Sequence, residues 1–314
     1  MNPQPIVAIT IATYLRPEGL SAVLSAVVPQ AEALTSAAAR VIVIDNDPQA
    51  SATEVVTPWS DRVSYVHEPQ PGIAAARNRG LQAAREAGAA AVVFIDDDEI
   101  PDEAWLERLV GAWLEWSCAG VQGPVEYEFD GPPDPWVEAA GTFARLRHPS
   151  GSVVTDGATN NLLLDLPTLD RHGIRFDPAY GLTGGSDSML VQRLVHAGEQ
   201  IRWCDEAVVS EAVPAQRAQP EWILKRSTRT SNAGARIRLT IAQSPSERAR
   251  LRGELLARGL SRIARGSVHE AIGRARKDVR RQASGAVQAA GGRGVLKALA
   301  GVRHVEYRRS RGGV

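Results

Sequence analysis

Phe94-Ile95-Asp96-Asp97-Asp98-Glu99 is where the chain changes character. An apolar run over residues 89–95 ends there in four consecutive acids. The run is short and apolar on both faces, which reads as a parallel strand buried on both sides. Its acids then stand at the carboxyl end of the strand, where open α/β sheets receive their ligands. Adjacent carboxylates repel one another unless a cation or hydrogen-bond donors compensate. One reading is therefore a divalent cation, Mg²⁺ or Mn²⁺, holding a nucleotide diphosphate, because both ions prefer oxygen ligands. The other is an acidic loop capping the next helix, with Pro101 and Asp102 at its start.

Moving toward the amino terminus, residues 6–12 read as a first strand, followed by the loop Thr13-Tyr14-Leu15-Arg16-Pro17. Leu20, Val23, Leu24, Val27 and Val28 recur at helical spacing. Residues 41–44 form a second buried strand ending in Asp45-Asn46-Asp47-Pro48, and residues 63–66 a third. Residues 72–87 read as a helix stopped by Gly88, and 102–116 as the next. Strands alternating with helices predict an α/β fold with a mainly parallel sheet. There is no G-x-G-x-x-G after the first strand and no G-x-x-x-x-G-K-[ST]. A nucleotide bound here is thus held by carboxylates and a metal rather than by a glycine cradle.

Across 314 residues the formal charge is zero, but 17 of the 36 Lys and Arg and only 5 of the 36 Asp and Glu lie from Pro245 onward. The tail is strongly basic and the rest acidic, which points to a separate partner for the tail. Two cysteines, Cys118 and Cys204, make no disulfide framework and suit a reducing compartment. The start MNPQPIVAIT lacks the pattern of a signal peptide, and no run approaches the ~18 apolar residues of a membrane span. The expected location is the cytoplasm, or the inner face of the cell membrane as a peripheral protein.

Toward the carboxyl terminus, residues 121–129 read as a strand, and the breaker Gly131-Pro132-Pro133-Asp134-Pro135 precedes a short helix opened by Trp136. Asn160 and Asn161 suit either a tight backbone or an acceptor hydroxyl. Gly184 and Gly185 run into Ser186-Asp187 and a helix with apolar positions at Met189, Leu190, Leu194 and Val195. Ser186 or Asp187 could simply cap that helix. Alternatively the glycines admit a substrate, and the helix amino terminus favours a charged carboxylate at Asp187. Residues 201–209 read as a strand, after which Glu211 could ligate a hard cation or pair with Arg217 or Arg226. Lys225 and Arg226 begin a cation-rich helix. From Ser244 on, Leu251, Leu255, Leu256, Leu260 and Ile263 fall near helical spacing among arginines. Basic amphipathic helices suit an anionic membrane surface. Nucleic acid is not expected, because the tail offers a single aromatic, Tyr307, and no stacking platform. Packing on the preceding domain, or a homodimer, would use the same helices.

The strings ITIATYLRPEGL, VIVIDNDP, PGIAAARNRGL and FIDDDE occur in that order, and together they resemble the nucleotide-sugar domain of family-2 glycosyltransferases. The first departs from the family pattern, with Ala12 and Leu15 where Pro and Asn are usual. The resemblance implies a GT-A fold over residues 1–240, with a nucleotide-binding half (1–100) and an acceptor half (101–240), and a basic helical extension over 241–314. It implies roles as well. Asp45 would accept from the nucleobase, in a pocket lined by Ala12, Thr13, Tyr14 and Arg16. Arg77 would lie beside the base or the phosphates. Asp96, with Asp97, would reach the ribose or sugar. Asp98 would hold Mn²⁺ or Mg²⁺, with Glu211 where many relatives place a metal-binding His. Lys225 and Arg226 would flank the diphosphate, and Asp187 would be the general base. Asn160, Asn161, Gly184, Gly185 and Ser186 would meet the acceptor. The implied reaction is inverting transfer of a sugar, of the hexosyltransferase type, from a nucleotide-diphosphate sugar, UDP-linked first, to a hydroxyl acceptor, lipid-linked or polysaccharide. A sugar-phosphate nucleotidyltransferase and a non-catalytic nucleotide-binding membrane-surface protein are the alternatives.

Overall fold

The computed structural model describes residues 4–144 and 147–303. Tyr307 and the first three residues, read above, lie outside them. The chain divides into two compact units, each drawn from several segments. The first comprises residues 1–126, 146–181 and 186–211, and the second 127–145, 182–185 and 212–314.

The strands are β1 (Ile6–Thr13), β2 (Ala38–Asp45), β3 (Val63–His67), β4 (Ala91–Asp96), β5 (Glu99–Pro101), β6 (Gly120–Gln122), β7 (Val125–Phe129), β8 (Val153–Val154), β9 (Leu162–Asp165), β10 (Ile201–Trp203) and β11 (Val209–Val213). The helices are α1 (Pro17–Ala33), α2 (Thr53–Val56), α3 (Ile73–Glu86), α4 (Trp105–Trp116), α5 (Pro135–Ala139), α6 (Leu166–Arg171), α7 (Ser186–His196), α8 (Pro220–Ile241), α9 (Pro245–Arg276) and α10 (Val279–Leu299).

The first unit carries an eight-stranded sheet in the order β3-β2-β1-β4-β9-β6-β10-β8. β3, β2, β1 and β4 are all parallel, and the apolar runs of β1, β2 and β4 are buried on both faces, as central parallel strands require. The far half is mixed: β9 runs antiparallel to both β4 and β6, and β8 antiparallel to β10. The parallel register sets Thr13 beside Asp45 and Ala12 beside Asp96. The ends of β2, β1 and β4 thus share one edge, about 5 Å apart from strand to strand. The core beneath holds Ile42, Ile44, Val92, Leu162 and Leu164, with Phe94 meeting Phe176 edge to face at 5.5 Å.

Three sequence expectations give way here. The loop expected after β4 is partly a strand, β5, paired antiparallel with β11, and α4 begins at Trp105 rather than 102. The run expected over 121–129 breaks at Gly123-Pro124 into β6 and β7, since proline cannot donate to a central ladder. The run expected over 201–209 ends at Trp203.

In the second unit α10 packs on α9, α8 and α5. Ala235, Leu255, Val295 and Ala298 form a small core there. A 32-residue helix is long for a globular chain, and α9 reaches that length between a Ser244 cap and the left-handed Lys277.

Candidate active site

The site candidates of the first unit are built on strand ends. β1 ends at Thr13, and the loop beyond it turns through Leu15 at φ +54°, a left-handed value uncommon for a leucine. That turn delivers Arg16, whose guanidinium contacts Asp97 at 3.0 Å and Asp98 at 2.5 Å. Thr13 Oγ1 donates to Asp97 at 2.7 Å. Burial opposes the arginine's charge, yet the carboxylates of Asp98 and Asp97 outweigh it and hold the guanidinium pKa above its ordinary value.

The three aspartates of the acidic run do different things. Asp96 pairs with Arg77 at 3.3 Å, and Arg77 itself is buried in α3 over the Phe176 ring. The Asp96 side chain keeps 37% exposure at the open edge. The surrounding protein raises its pKa by desolvation, Arg77 opposes this, and the charges of Asp98 and Asp187 add to the rise. Asp98 is the more accessible of the two Arg16 partners, with 28% of its side chain exposed against 9% for Asp97.

Asp97 faces the other way, into Thr13 and Arg16. Burial pushes its carboxyl up to about 6, with Arg16 and the Thr13 hydrogen bond working against the shift. Glu99, not anticipated as a site residue, is fully buried. Its Oε2 accepts from the Asp96 backbone N–H at 2.9 Å, while Oε1 has no hydrogen-bond partner. It lies opposite Glu211 across the β5–β11 ladder. Burial, followed by the charge of Asp96, holds it well above the usual carboxylate range, and Glu211 and Asp98 add to that.

Asp187 lies in the first turn of α7, where its Oδ1 accepts from Ser188 N–H at 2.8 Å and the helix end favours negative charge. It reaches this position past Gly184 at φ +74° and Gly185 at φ +88°, conformations that glycine adopts at no steric cost. Its charge acts on Asp96 and on Asp156. Residues ninety positions apart thus share one patch of potential at the sheet edge. Asp156 was not anticipated; nothing in its local sequence distinguishes it from a loop aspartate.

Local geometry holds the other candidates as well. Asp45 is fully buried and accepts from Asp47 N–H, Ala52 N–H and Tyr65 O–H, which fix its carboxylate at the end of β2. Asn161 sits at φ +61° with its amide donating to the Pro124 and Ala207 carbonyls and its Oδ1 accepting from Trp105 Nε1. These three bonds brace the strand ends. Ser186 is buried in the first turn of α7. Asn160 is also buried, and its Oδ1 has no partner. Ala12 is half-buried at the end of β1, and Tyr14 is exposed. Lys225 and Arg226 belong to the second unit, on α8, where Arg226 lies over the Trp222 ring.

No group of three or more His, Cys, Asp or Glu side chains among the described residues forms a ready-made cage for a metal ion. Asp98 and Asp96 nevertheless supply hard oxygens at one edge, and behind them Glu99 keeps one oxygen without a hydrogen-bond partner. That donor set fits Mg²⁺ or Mn²⁺, which bind through one or two carboxylates when substrate phosphates complete the shell.

This arrangement, strand ends carrying acids on a half-parallel sheet, belongs to the GT-A fold. Mannosyltransferase PcManGT from Pyrobaculum calidifontis, solved in complex with GDP-Man and Mn²⁺, matches with a TM-score of 0.61 at 17% identity, over 95% of this chain and 88% of that one. GalNAc-T7, solved with UDP, GalNAc and Mn²⁺, matches with a TM-score of 0.54 at 14% identity, over 76% of this chain and 48% of that one. The model of glycosyl transferase family 2 matches residues 8–163. The succinoglycan biosynthesis protein ExoM of Rhizobium meliloti (strain 1021) is 32% identical over 237 residues, 73% of this chain and 74% of its own. The chain belongs to glycosyltransferase family 2.

Proposed function

We propose that the protein transfers a sugar from a nucleotide-diphosphate sugar to a hydroxyl acceptor with inversion at the anomeric carbon, in polysaccharide biosynthesis. The observation that carries this reading is the convergence of Asp96, Asp98 and Asp187 on one edge, with Arg77 buried against it. The donor class is supported by the nucleotide and sugar ligands of the two structural neighbours, and the polysaccharide product by the ExoM relative. The acceptor hydroxyl is that of a saccharide, free or carried on a lipid.

Asp98 would hold a divalent cation, with Asp96 beside it and Glu211 as a further ligand. Bound there, Mn²⁺ or Mg²⁺ supplies neutralisation of the diphosphate as its negative charge grows. Arg77 fixes the orientation of Asp96 through their ion pair. Arg16 steadies Asp98 from the β1 loop and offers a second positive charge to phosphate. Asp187 takes the proton from the acceptor hydroxyl. The oxygen so freed attacks the anomeric carbon from the face opposite the leaving group. A single base suffices for this displacement, and only one carboxylate of the edge is assigned to proton transfer.

Thermal shift with UDP-, GDP- and dTDP-sugars, each with and without Mn²⁺, tests the donor. A bound donor at a hundred times its Kd stabilises the native state by about 2.7 kcal/mol. Asp98→Asn should lose the Mn²⁺-dependent part of the shift. Asp187→Asn should keep the shift and lose ~10²–10⁴-fold in transfer, the usual contribution of a general base. Full turnover by the Asp187→Asn enzyme refutes the base, and no shift with any nucleotide sugar refutes the donor class.

A further inference from the structure

The long helix α9 is inverted with respect to an ordinary soluble helix. Its contact with α10 is made by Gly259, Gly266 and Gly273, seven residues apart and all buried. Beyond Leu255, Ile263 still packs on Gly292 of α10, but Leu256, Leu260 and Val268 point outward, at 48%, 52% and 55% exposure. With Ala264 between them, these positions step by four along one side of the helix. Amphipathic surface helices normally turn such a stripe toward the core. Here the inward face is occupied by glycine backbones, so the apolar stripe is left to the outside.

The charges around the stripe are one-sided. α9 carries eight arginines against Glu247, Glu254 and Glu270. Glu254 is engaged by Arg250 and Arg238, and Glu270 by Arg274. Arg258, Arg262 and Arg265, in the middle of the helix, pair with no carboxylate among the described residues. Arg262 turns inward, its guanidinium against Gly291 of α10, where burial and then the charge of Arg258 hold its pKa below the ordinary value, while Arg258 and Arg265 stay exposed. A segment of exposed leucine and valine amid unneutralised arginines calls for a partner that is apolar beneath and negative above. A second copy of the same face would bring arginines against arginines. Nucleic acid would neutralise the arginines but leave Leu256, Leu260 and Val268 without partners.

We propose that the outward face of α9 docks on an anionic lipid bilayer, with Leu256, Leu260 and Val268 entering the headgroup boundary and the exposed Arg258 and Arg265 meeting lipid phosphates. This is the composition of helices that lie in a membrane interface rather than across it. No helix among the described residues is long and apolar enough to span one. The inference rests on the geometry of α9 and stands whether or not the transfer reaction is as described above.

The test uses the full-length protein and vesicles of phosphatidylcholine alone or with 30% phosphatidylglycerol, a composition of about one anionic lipid in three, chosen to resemble the anionic membrane surfaces that attract basic segments. Flotation should recover the wild type with the anionic vesicles and not with the neutral ones. Each Lys or Arg near such a surface is worth about five-fold in binding. The Arg258→Gln/Arg265→Gln variant should therefore bind roughly 25-fold more weakly, by two such factors. Leu256→Ser/Leu260→Ser/Val268→Ser should leave the vesicles entirely while keeping the wild-type thermal midpoint, because all three side chains are already in water. Donor binding by thermal shift should be unchanged in both variants. The proposal is overturned by a wild type that ignores anionic vesicles, or by serine and glutamine variants that bind as well as the wild type. It is equally overturned by a wild-type dimer that the serine variant converts to monomer, since the face would then belong to a second copy.

Discussion

At the residue scale the most informative side chain is one that does not face the ligand edge. Asp97 is caught between Thr13 and Arg16 and titrates at about 6, against an ordinary 3.8. Between those values the folded chain holds a proton that the unfolded chain has released. Stability must therefore fall as pH rises from about 4 to about 6 and stay level above. The step amounts to roughly 3 kcal/mol. Urea unfolding in chelator at pH 4.5, 5.5 and 6.5 should show the decline, and Asp97→Asn should lose this portion of it, since an amide still accepts from Thr13 without titrating. A variant with the full wild-type slope would assign the titration to its neighbours Asp96 and Glu99. Which acids are candidates was partly legible in the sequence. Asp96, Asp98 and Asp187 declare themselves by position, two at a strand end and one after a glycine pair. The closures of Asp45 by Tyr65, Asp97 by Thr13 and Asn161 by Trp105 depend on partners 20, 84 and 56 positions away. No local pattern encodes those distances.

At the scale of elements, the alternation of strands and helices was readable because buried parallel strands carry uninterrupted apolar runs. The far half of the sheet uses two- to four-residue strands, too short for a period to register. In α9 the period was visible but its direction was not. Leu251 and Leu255 turn inward and Leu256 and Leu260 outward, because the contact is dictated by glycines that hydropathy does not score. The hairpin of α9 and α10 makes this measurable. A Cβ added at Gly266 would stand 2.6 Å from Ala289 N and Gly285 O, backbone atoms that cannot give way. Gly266→Ala should cost ~1–3 kcal/mol, the range of overpacking. On the same helix Gly253 has nothing within 4 Å. Gly253→Ala should add ~0.5–1 kcal/mol by removing backbone freedom from the unfolded chain. Urea midpoints of the two variants should move in opposite directions. Equal shifts would mean that the helices do not touch at the glycines.

For the whole molecule, a basic extension starting at 241 divides the chain where its composition changes, and the fold does not follow composition. α8, on the acidic side of that line, finds its partners on the basic side. Ser227 donates to Val287 O, Thr228 to Ala290 O, and Asn232 to Gly294 O and Val302 O. Ala235 shares its small core with Leu255, Val295 and Ala298. A chain ending at Ser244 would strip α8 of these contacts, leaving donors without acceptors and an apolar face in water. Each stranded buried group costs ~1–3 kcal/mol, and together they rival the ~5–15 kcal/mol that holds a typical domain. The truncated chain should therefore lose a cooperative thermal transition in the second unit and elute as aggregate on gel filtration. A monomer with the wild-type midpoint would restore the boundary at 241. The same reasoning dictates how membrane docking must be probed. Deleting the basic helices would abolish vesicle binding by unfolding their neighbour, whereas serine at Leu256, Leu260 and Val268 changes only what the helix offers to the outside.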